Sequence, residues 1–431
     1  MHIVFVTTEL AADNHPAGGL GSFTANMARI FNEKGHKVTV ILASVKEENV
    51  TMDENIHLRT LYIKKPLWNC FDQVARVLSA FTKESRDEIR IFLINLYKGR
   101  QVKREIKRIN QREKIDIIHF CNHGALSLTA NKKIPYVVRI SSFLNIYNGG
   151  ANQPNGSIRY EDNRLSIRDR LEDYALRKAV YAVSPSYLIG GIARESLGVN
   201  PKVIESPFVM DKGKWDYKIY NKLLKDRKYI IHYGRLSYFK GTHIVADMAK
   251  ALLESHPDIV LVLAGNARMM ADEEGKEIHP ADLVKRKAEE YVDRVIYVGC
   301  LGKEQLYPLI ENAQICLLPS RMENLPNACI EAMAMGKIVV GTDGASFEQL
   351  IDDRKNGFLC VRDDPNSYME AVKEILHMSV KEREQMSEMA IESTKRFASE
   401  IIYGKYLEFY QEVIENWKYR GNTTSAGKGN V

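Results

Sequence analysis

The sequence lacks long apolar runs and contains few cysteines. Its 431 residues include no uninterrupted apolar stretch of the roughly 18 to 20 residues that a membrane-spanning helix needs. The apolar segment from Met1 to Thr7, which predicts the first strand, lacks the charged start and long apolar core of a secretory signal peptide. The six cysteines form no C-x-x-C pair, which is typical of a reducing compartment rather than a disulfide-rich fold. We therefore expect a cytoplasmic protein that does not span a membrane.

Short apolar segments alternate with helical patterns along the chain, which predicts an α/β protein. At 431 residues the chain is long enough for two domains. The predicted organisation is a first domain over 1–207, a linker over 208–227, a second domain over 228–400, a helix over 401–418 that crosses back to the first domain, and a disordered tail over 419–431. Asn148 to Ser157 is rich in Gly, Asn and Pro, and we expect a mobile loop there.

Two carboxylates lie eight positions apart where a strand gives way to a helix. The apolar run from Gln314 to Pro319 predicts a buried strand, and a helix is expected from Pro326 to Gly336. Glu323 then lies in the loop at the carboxyl end of a strand, and Glu331 lies in the helix. Ligands of open α/β sheets bind at such strand ends. Ionised carboxylates accept strong hydrogen bonds from hydroxyls, so a sugar or a ribose is a suitable ligand.

A second pattern places two cations near a helix N-terminus. Lys228 to Tyr233 predicts a strand, Gly234 and Arg235 form a turn, and Lys240 immediately precedes a helix that starts near Thr242. The free N–H groups and the dipole of a helix N-terminus favour anions. Arg235 can fork onto phosphate oxygens, while Lys240 supplies a point charge.

The spacing Glu-x(7)-Glu, followed by Ala-Met-Ala-x-Gly, resembles the signature of the family 4 retaining glycosyltransferases. The resemblance implies the GT-B fold, in which two Rossmann-like, doubly wound α/β domains face each other across a cleft. It also implies that Gly234, Arg235 and Lys240 hold the diphosphate of a nucleotide-sugar donor. It further implies that Glu323 contacts the transferred sugar and that Glu331 holds the ribose. Asn324 and Leu325, which follow Glu323, are also implied to bind the donor.

The sequence departs from this family at two places. The family often has Gly-Gly-x-Pro-Glu after the helix, whereas this chain has Ala345 and Phe347 in that loop and retains Glu348. The apolar run from Ile115 to Phe120 predicts another strand, and family members often place a functional histidine near the end of this strand, commonly within His-x-His. Here Cys121 replaces the second histidine of that pattern, which leaves His119 and His123 as alternatives, and we favour His123 because it lies in the loop.

A glycine-rich turn near the amino terminus follows the first predicted strand. Gly18, Gly19 and Gly21 would let the backbone approach a phosphate closely, and an amphipathic helix is expected from Ser22. The turn does not fit the G-x-G-x-x-G dinucleotide fingerprint. Its position resembles that of the phosphate-contacting loop of the family.

Positive charge is concentrated between Lys64 and Lys114. This window has 14 Lys and Arg against 6 Asp and Glu, a balance of +8, while the whole chain carries +6. Its apolar residues predict an amphipathic helix followed by a more deeply buried one. Two interpretations fit: a peripheral contact with anionic lipid at the inner face of the membrane, or core-packed helices with a solvated basic face. No recognition motif accompanies the charge, so we expect no nucleic-acid partner.

Taken with the resemblance, these patterns predict a retaining glycosyltransferase that uses a nucleoside diphosphate sugar and a glycan, lipid-linked or other hydroxyl acceptor. Its implied catalytic residues are Arg235, Lys240, Glu323 and His123. We expect no cofactor. We also expect no metal site, because Asp352-Asp353 and Asp363-Asp364 have the pattern of turn residues. The alternatives are a sugar-nucleotide epimerase or phosphorylase of the same fold, and a catalytically idle partner subunit.

Overall fold

The computed structural model describes residues 1–12, 18–47, 50–131, 133–143, 146, 158–160, 165–210, 213 and 215–426. These residues form two compact units. The first comprises residues 1–145, 160–207 and 399–431, and the second comprises 146–159 and 208–398, each within the described ranges. The expected loop at 148–157 lies outside the described residues.

The first unit contains a seven-stranded parallel sheet in the order β3-β2-β1-β4-β5-β6-β7. Its strands are β1 (His2–Thr7), β2 (Lys37–Ala43), β3 (His57–Leu61), β4 (Ile117–Cys121), β5 (Tyr136–Arg139), β6 (Ala182–Ser184) and β7 (Lys202–Val203). The sheet is doubly wound, because the first strand of the chain lies inside it and the strand order reverses between β1 and β4. The crevice for a ligand is therefore expected where β1 and β4 end.

The helices of the first unit cover this sheet. They are α1 (Gly19–Glu33), α2 (Lys65–Ser79), α3 (Arg86–Arg112), α4 (Ile167–Lys178), α5 (Tyr187–Leu197) and the C-terminal helix (Ser399–Ala426), with a 3-10 helix at His123–Thr129. The C-terminal helix belongs to the core of this unit, since Ile402, Tyr406 and Tyr410 are fully buried in one apolar cluster with Phe5 and Phe31.

The second unit contains a six-stranded parallel sheet in the order β12-β9-β8-β13-β14-β15. Its strands are β8 (Lys228–Tyr233), β9 (Ile259–Ala264), β12 (Val295–Tyr297), β13 (Ile315–Leu318), β14 (Val339–Thr342) and β15 (Phe358–Cys360), and a separate hairpin pairs β10 (Met270–Ala271) with β11 (Glu277–Ile278). The strand order reverses between β8 and β13, which places the crevice at the ends of these two strands.

Seven α-helices are described in the second unit. They are α6 (Lys218–Leu223), α7 (Thr242–Ser255), α8 (Pro280–Lys287), α9 (Lys303–Glu311), α10 (Asn327–Ala334), α11 (Pro365–His377) and α12 (Val380–Thr394), with 3-10 helices at Glu289–Arg294, Phe347–Gln349 and Lys395–Phe397. Every residue of β9 is buried, as expected for a parallel strand covered on both faces.

The fold agrees with the predicted α/β class, and three local boundaries differ from the sequence expectations. Helix α1 begins at Gly19, three residues before the predicted start at Ser22. The predicted linker contains α6, and Phe208 and Trp215 pack against the apolar core of the second unit. The many lysines of this segment suggested an exposed linker, but these two aromatic side chains hold it against the second unit. The C-terminal helix is described as far as Ala426, beyond its predicted end at 418.

Helices α2 and α3 occupy the basic window, as the apolar pattern predicts. Ala75 is the one buried residue of α2, whereas α3 buries several apolar side chains, including Ile94 and Val102. Within the described residues, no helix carries an apolar stretch long enough to cross a bilayer.

Candidate functional site

The loop after β8 is shaped by close backbone approaches that only glycine allows. Gly234 has a φ of +108° and lies so near Gly265 that a Cβ at residue 265 would be 1.7 Å from the Gly234 carbonyl oxygen. Gly241 has a φ of +73°, and a Cβ there would be 1.8 Å from the Pro319 carbonyl oxygen. The loop after β8 is therefore pressed against the segment that leaves β13.

A buried histidine supports the same loop from below. His232 places Nδ1 2.9 Å from the Leu317 carbonyl oxygen and Nε2 3.0 Å from Oγ1 of Thr242. The Ser237 N–H donates to the same hydroxyl at 3.0 Å. Burial lowers the pKa of His232 to about 4, so the imidazole stays neutral. Sequence reasoning missed this histidine, which had no signal beyond its position in an apolar strand.

The two predicted cations differ in their contacts. Lys240 forms an ion pair and hydrogen bond with Glu323, and their side chains are 30% and 14% exposed. The Glu323 N–H donates to the Ala345 carbonyl oxygen at 3.1 Å, which fixes the carboxylate loop. Arg235 is exposed and makes no hydrogen bond or ion pair within the part of the chain that the structure describes. The structure thus brings Lys240 and Glu323 together and leaves the Arg235 guanidinium available at the loop surface.

Glu331 lies in α10 and is only 8% exposed. Its Oε1 accepts hydrogen bonds from Lys303 Nζ at 2.9 Å and from the Tyr307 hydroxyl at 3.1 Å. Desolvation is the largest single effect on the pKa of Lys303 and lowers it, but the charges of Glu331 and Tyr307 and the hydrogen bonds to them together raise this pKa above its ordinary value. The pKa of Tyr307 is also raised, first by burial and then by Glu331. Sequence reasoning missed both partners, because they come from α9, a helix without a recognisable motif.

The remaining predicted donor contacts lie beside Glu323. Asn324 accepts a hydrogen bond at its carbonyl oxygen from the Ser346 hydroxyl. The side chain of Leu325 is 8% exposed and belongs to the apolar core of the unit. The helix that follows begins at Asn327, with Pro326 as its N-cap, and Gly336 has a φ of +69° just past its end.

The loop with the two departures from the family pattern has a defined shape. Gly344 and Ser346 both have positive φ, +67° and +76°. Phe347 is fully buried against Gly341, where an added Cβ would come within 2.6 Å of the ring. Glu348 is exposed. The Phe347 side chain therefore belongs to the apolar core of the second unit and is not exposed at the loop surface.

The amino-terminal glycines are engaged within their own unit. The Gly18 N–H donates to the Glu9 carboxylate, and Gly18 is the N-cap of α1. Gly19 and Gly21 lie in the first turn of this helix. Glu9, which sequence reasoning missed, thus occupies the place where a helix N-terminus would receive an anion.

The two candidate histidines have different environments. His119 is 3% exposed, its Nδ1 is 2.6 Å from the Tyr410 hydroxyl, and burial, with a smaller effect of Arg139, lowers its pKa to about 3. His123 follows β4, is 20% exposed, and places Nε2 3.1 Å from Ser142 Oγ and Nδ1 3.7 Å from Glu172. His123 is therefore the one of the two that lies at the strand end with access to solvent.

Carboxylates on α4 lie beside His123. Glu172 accepts from the Gly124 N–H at 2.8 Å. Burial raises the pKa of Asp173 to about 6 and also raises the pKa of Asp169. Among the residues that the structure describes, no group of three or more His, Cys, Asp or Glu has an arrangement that would hold a metal ion.

The second unit is similar to glycosyltransferases of known sequence. Residues 214–393 match the family model described as glycosyl transferases group 1, and this segment contains Gly234, Arg235, Lys240, Glu323 and Glu331. An uncharacterized glycosyltransferase of Haemophilus influenzae is 30% identical over 200 residues, which cover 46% of this chain and 50% of that protein. The chain spans half or less of the length of each of the first curated relatives that it matches.

Solved structures resemble nearly the whole chain. Sucrose-phosphate synthase from Thermosynechococcus elongatus has a TM-score of 0.68 at 16% identity, with 96% of this chain and 99% of that chain covered. HepE of Anabaena, in complex with UDP-glucose, has a TM-score of 0.64 at 16% identity, with 96% and 100% covered. With two doubly wound parallel units, these likenesses show that the chain has the GT-B fold, as the sequence resemblance implied.

Proposed function

We propose that this protein is a glycosyltransferase that moves a sugar from a nucleoside diphosphate sugar to a hydroxyl acceptor. The observation that carries the proposal is the position of Lys240, Glu323 and Glu331. All three lie where β8 and β13 end or in the helix that follows β13, within the segment that matches the glycosyltransferase family model. Parallel α/β sheets bind ligands at this edge.

The donor diphosphate is held by Arg235 and Lys240 in this proposal. In the free site, Lys240 is neutralised by Glu323. A bound diphosphate supplies a second anion, so Lys240 shifts toward phosphate oxygens and Glu323 becomes free to accept from sugar hydroxyls. As the bond to the sugar breaks, negative charge grows on the leaving diphosphate. Cations already fixed near that charge stabilise the transition state more than the ground state.

Glu331 accepts hydrogen bonds from the ribose hydroxyls of the donor. It is held in place by Lys303 and Tyr307, and its second oxygen is available for the ligand because both of these hydrogen bonds are made to Oε1. UDP is the first nucleotide to test, since the fold is shared with a protein solved in complex with UDP-glucose.

The finer features of the reaction rest on the family resemblance. We propose membership of family 4, transfer with retention at the anomeric carbon, and activity without a metal or a cofactor. The acceptor is a glycan, a lipid-linked glycan or another hydroxyl compound. His123, at the end of β4 in the first unit, is proposed to serve the sugar.

Thermal stability in the presence of nucleotides tests the donor site. A ligand at 100 times its dissociation constant stabilises the native state by about 2.7 kcal/mol. We expect one of UDP, GDP, ADP or CMP to raise the Tm by several degrees. Lys240→Ala and Glu331→Ala should abolish the shift, while Lys250→Ala, which removes an exposed ion pair with Glu289, should retain it. No shift with any nucleotide or its sugars would favour the idle partner subunit.

We further propose that the first unit contacts an anionic membrane surface through α2, which would place the protein at the inner face of the membrane. Its apolar residues Val74, Val77 and Leu78, and Phe81 just beyond the helix, are 41%, 60%, 41% and 83% exposed. The spacing of Val74, Val77 and Leu78 puts these three residues on one side of the helix. The charge balance of +8 in the surrounding window complements anionic lipid.

Flotation with liposomes tests this contact. The wild type should float with vesicles of anionic lipid at low salt, stay with the soluble fraction when the vesicles are zwitterionic, and bind less as salt rises. Val77→Asp and Phe81→Asp should each weaken flotation. Val380→Asp, at a 73% exposed site in the second unit, is the matched control. Absence of wild-type binding at low salt would leave the solvated-face interpretation.

A further inference from the structure

We propose that Arg321 is a positioning residue that couples the two loops carrying Lys240 and Glu323, through an ion pair with Asp363. This inference deepens the proposed function, on which its kinetic consequence rests. Arg321 is 5% exposed although it lies in a loop. It follows Pro319, the residue packed against Gly241, by two positions. A buried guanidinium is costly unless it is paired and hydrogen-bonded, so the groups that Arg321 contacts indicate what it does.

The backbone of Arg321 joins two of the loops. Its N–H donates to the Phe239 carbonyl oxygen at 2.9 Å, so the loop after β13 is bonded to the loop after β8. Phe239 immediately precedes Lys240, and Arg321 precedes Glu323 by two residues. A shift of this contact would therefore be passed directly to the Lys240–Glu323 pair.

The side chain of Arg321 reaches a third loop. Its Nε lies 3.0 Å from both carboxylate oxygens of Asp363, in the loop between β15 and α11. Arg362 Nε donates to the Arg321 carbonyl oxygen at 2.9 Å. Loops at the carboxyl ends of β8, β13 and β15 are thus tied together at one residue. Asp363 has a φ of +58°. The sequence predicted a turn at 363–364 but not the ion pair of Asp363 with Arg321.

An aromatic stack closes the cluster on the side of β8. The Arg321 guanidinium lies 5.2 Å from the centre of the Tyr238 ring, and Tyr238 stacks on His243 with ring centres 3.8 Å apart. His243 Nε2 is 3.3 Å from Asp363. Arginine suits this place because its planar group stacks on a ring and bonds a carboxylate at once, which lysine does not do.

Two conservative variants test the coupling. Arg321→Lys keeps the charge but loses the planar group. Asp363→Asn removes the charge but keeps the size and tolerates the positive φ. We expect both to lower the turnover number for the donor on the order of 10- to 100-fold, because small displacements of reacting groups are costly. Binding of the nucleoside monophosphate, which Glu331 would hold, should change little. The control is Arg286→Lys, because Arg286 is an exposed arginine that likewise pairs with carboxylates, those of Asp272 and Glu273.

Hydrogen exchange gives a readout that does not depend on activity. Peptides over 237–242 and 319–325 should exchange faster in both variants, while those over β9 and α10 keep the wild-type rate. Unchanged exchange in the two loops, or faster exchange with an unaltered turnover number, would overturn the inference. If the wild type turns over no donor, the proposed function fails, and the exchange rates still decide whether Arg321 couples the loops.

Discussion

At the scale of residues, the proposed donor site consists of single side chains at the ends of β8 and β13 and in the helix that follows β13. The positions of Glu323, Glu331 and Lys240 in the fold were predictable, because each belongs to a pattern that places a carboxylate or a cation at a strand end or near a helix start. The roles of Lys303, which pairs with Glu331, and of Arg321, which bonds the Phe239 carbonyl oxygen beside Lys240, were not predictable, since contacts between separate loops and helices leave no local pattern. The Lys240–Glu323 pair is likewise visible only in three dimensions.

Buried histidines make the stability of the first unit depend on pH. The folded-state pKa of His119 is about 3, against 6.5 as its ordinary value. Below pH 6.5 the unfolded chain therefore binds more protons, and stability is lost as the pH falls from 6.5 toward 3. The loss amounts to about 1.4 kcal/mol per pH unit for this residue.

Unfolding measured between pH 6 and pH 4 checks this assignment. His119→Gln should reduce the slope of unfolding free energy against pH by roughly 1.4 kcal/mol per unit. Tyr410→Phe removes the hydrogen-bond partner but not the titrating group, so it should lower stability and keep the slope. An identical slope in His119→Gln and the wild type would show that this histidine does not titrate on unfolding.

At the scale of elements, long buried strands are easier to predict from the sequence than two-residue strands or a helix that starts with glycines. Parallel strands buried on both faces give continuous apolar runs, as in β1 and β9. β7 and the β10-β11 hairpin have two residues in each strand and no such run. The start of α1 was misplaced because Gly18 and Gly19 carry none of the usual signals of a helix start.

The loop after β8 packs closely against the segment that follows β13, so adding one methyl group at Gly241 should reduce stability strongly. Gly241→Ala would place a Cβ against the Pro319 carbonyl oxygen at a φ of +73°, so the loop must shift. We expect a loss of more than about 2 kcal/mol and weaker nucleotide binding. Gly275→Ala is the control, since Gly275 has a φ of +77° with nothing within 4 Å. Its cost should stay near the 1 to 2 kcal/mol of backbone strain alone. Equal costs would contradict the close packing of these loops.

For the whole molecule, the family match and the fold likeness cover different extents. The family model spans residues 214–393, whereas the two solved structures compared above each cover 96% of the chain at 16% identity. The sequence predicted two α/β domains because strands and helices alternate throughout. It left the acceptor undefined, since the first unit contains no motif as specific as the Glu-x(7)-Glu spacing of the second.

The most direct measurement is the release of nucleoside diphosphate from UDP-, GDP- and ADP-sugars, with water as a slow acceptor and glycans added in turn. Wild type should release the nucleotide from one of these donors. Lys240→Ala should reduce the rate by about 100-fold or more, as expected when a group that stabilises developing charge is removed. The exposed-site variant Lys250→Ala should match the wild type. Release by Lys240→Ala at the wild-type rate, or no release from any donor by the wild type, would contradict sugar transfer at this site.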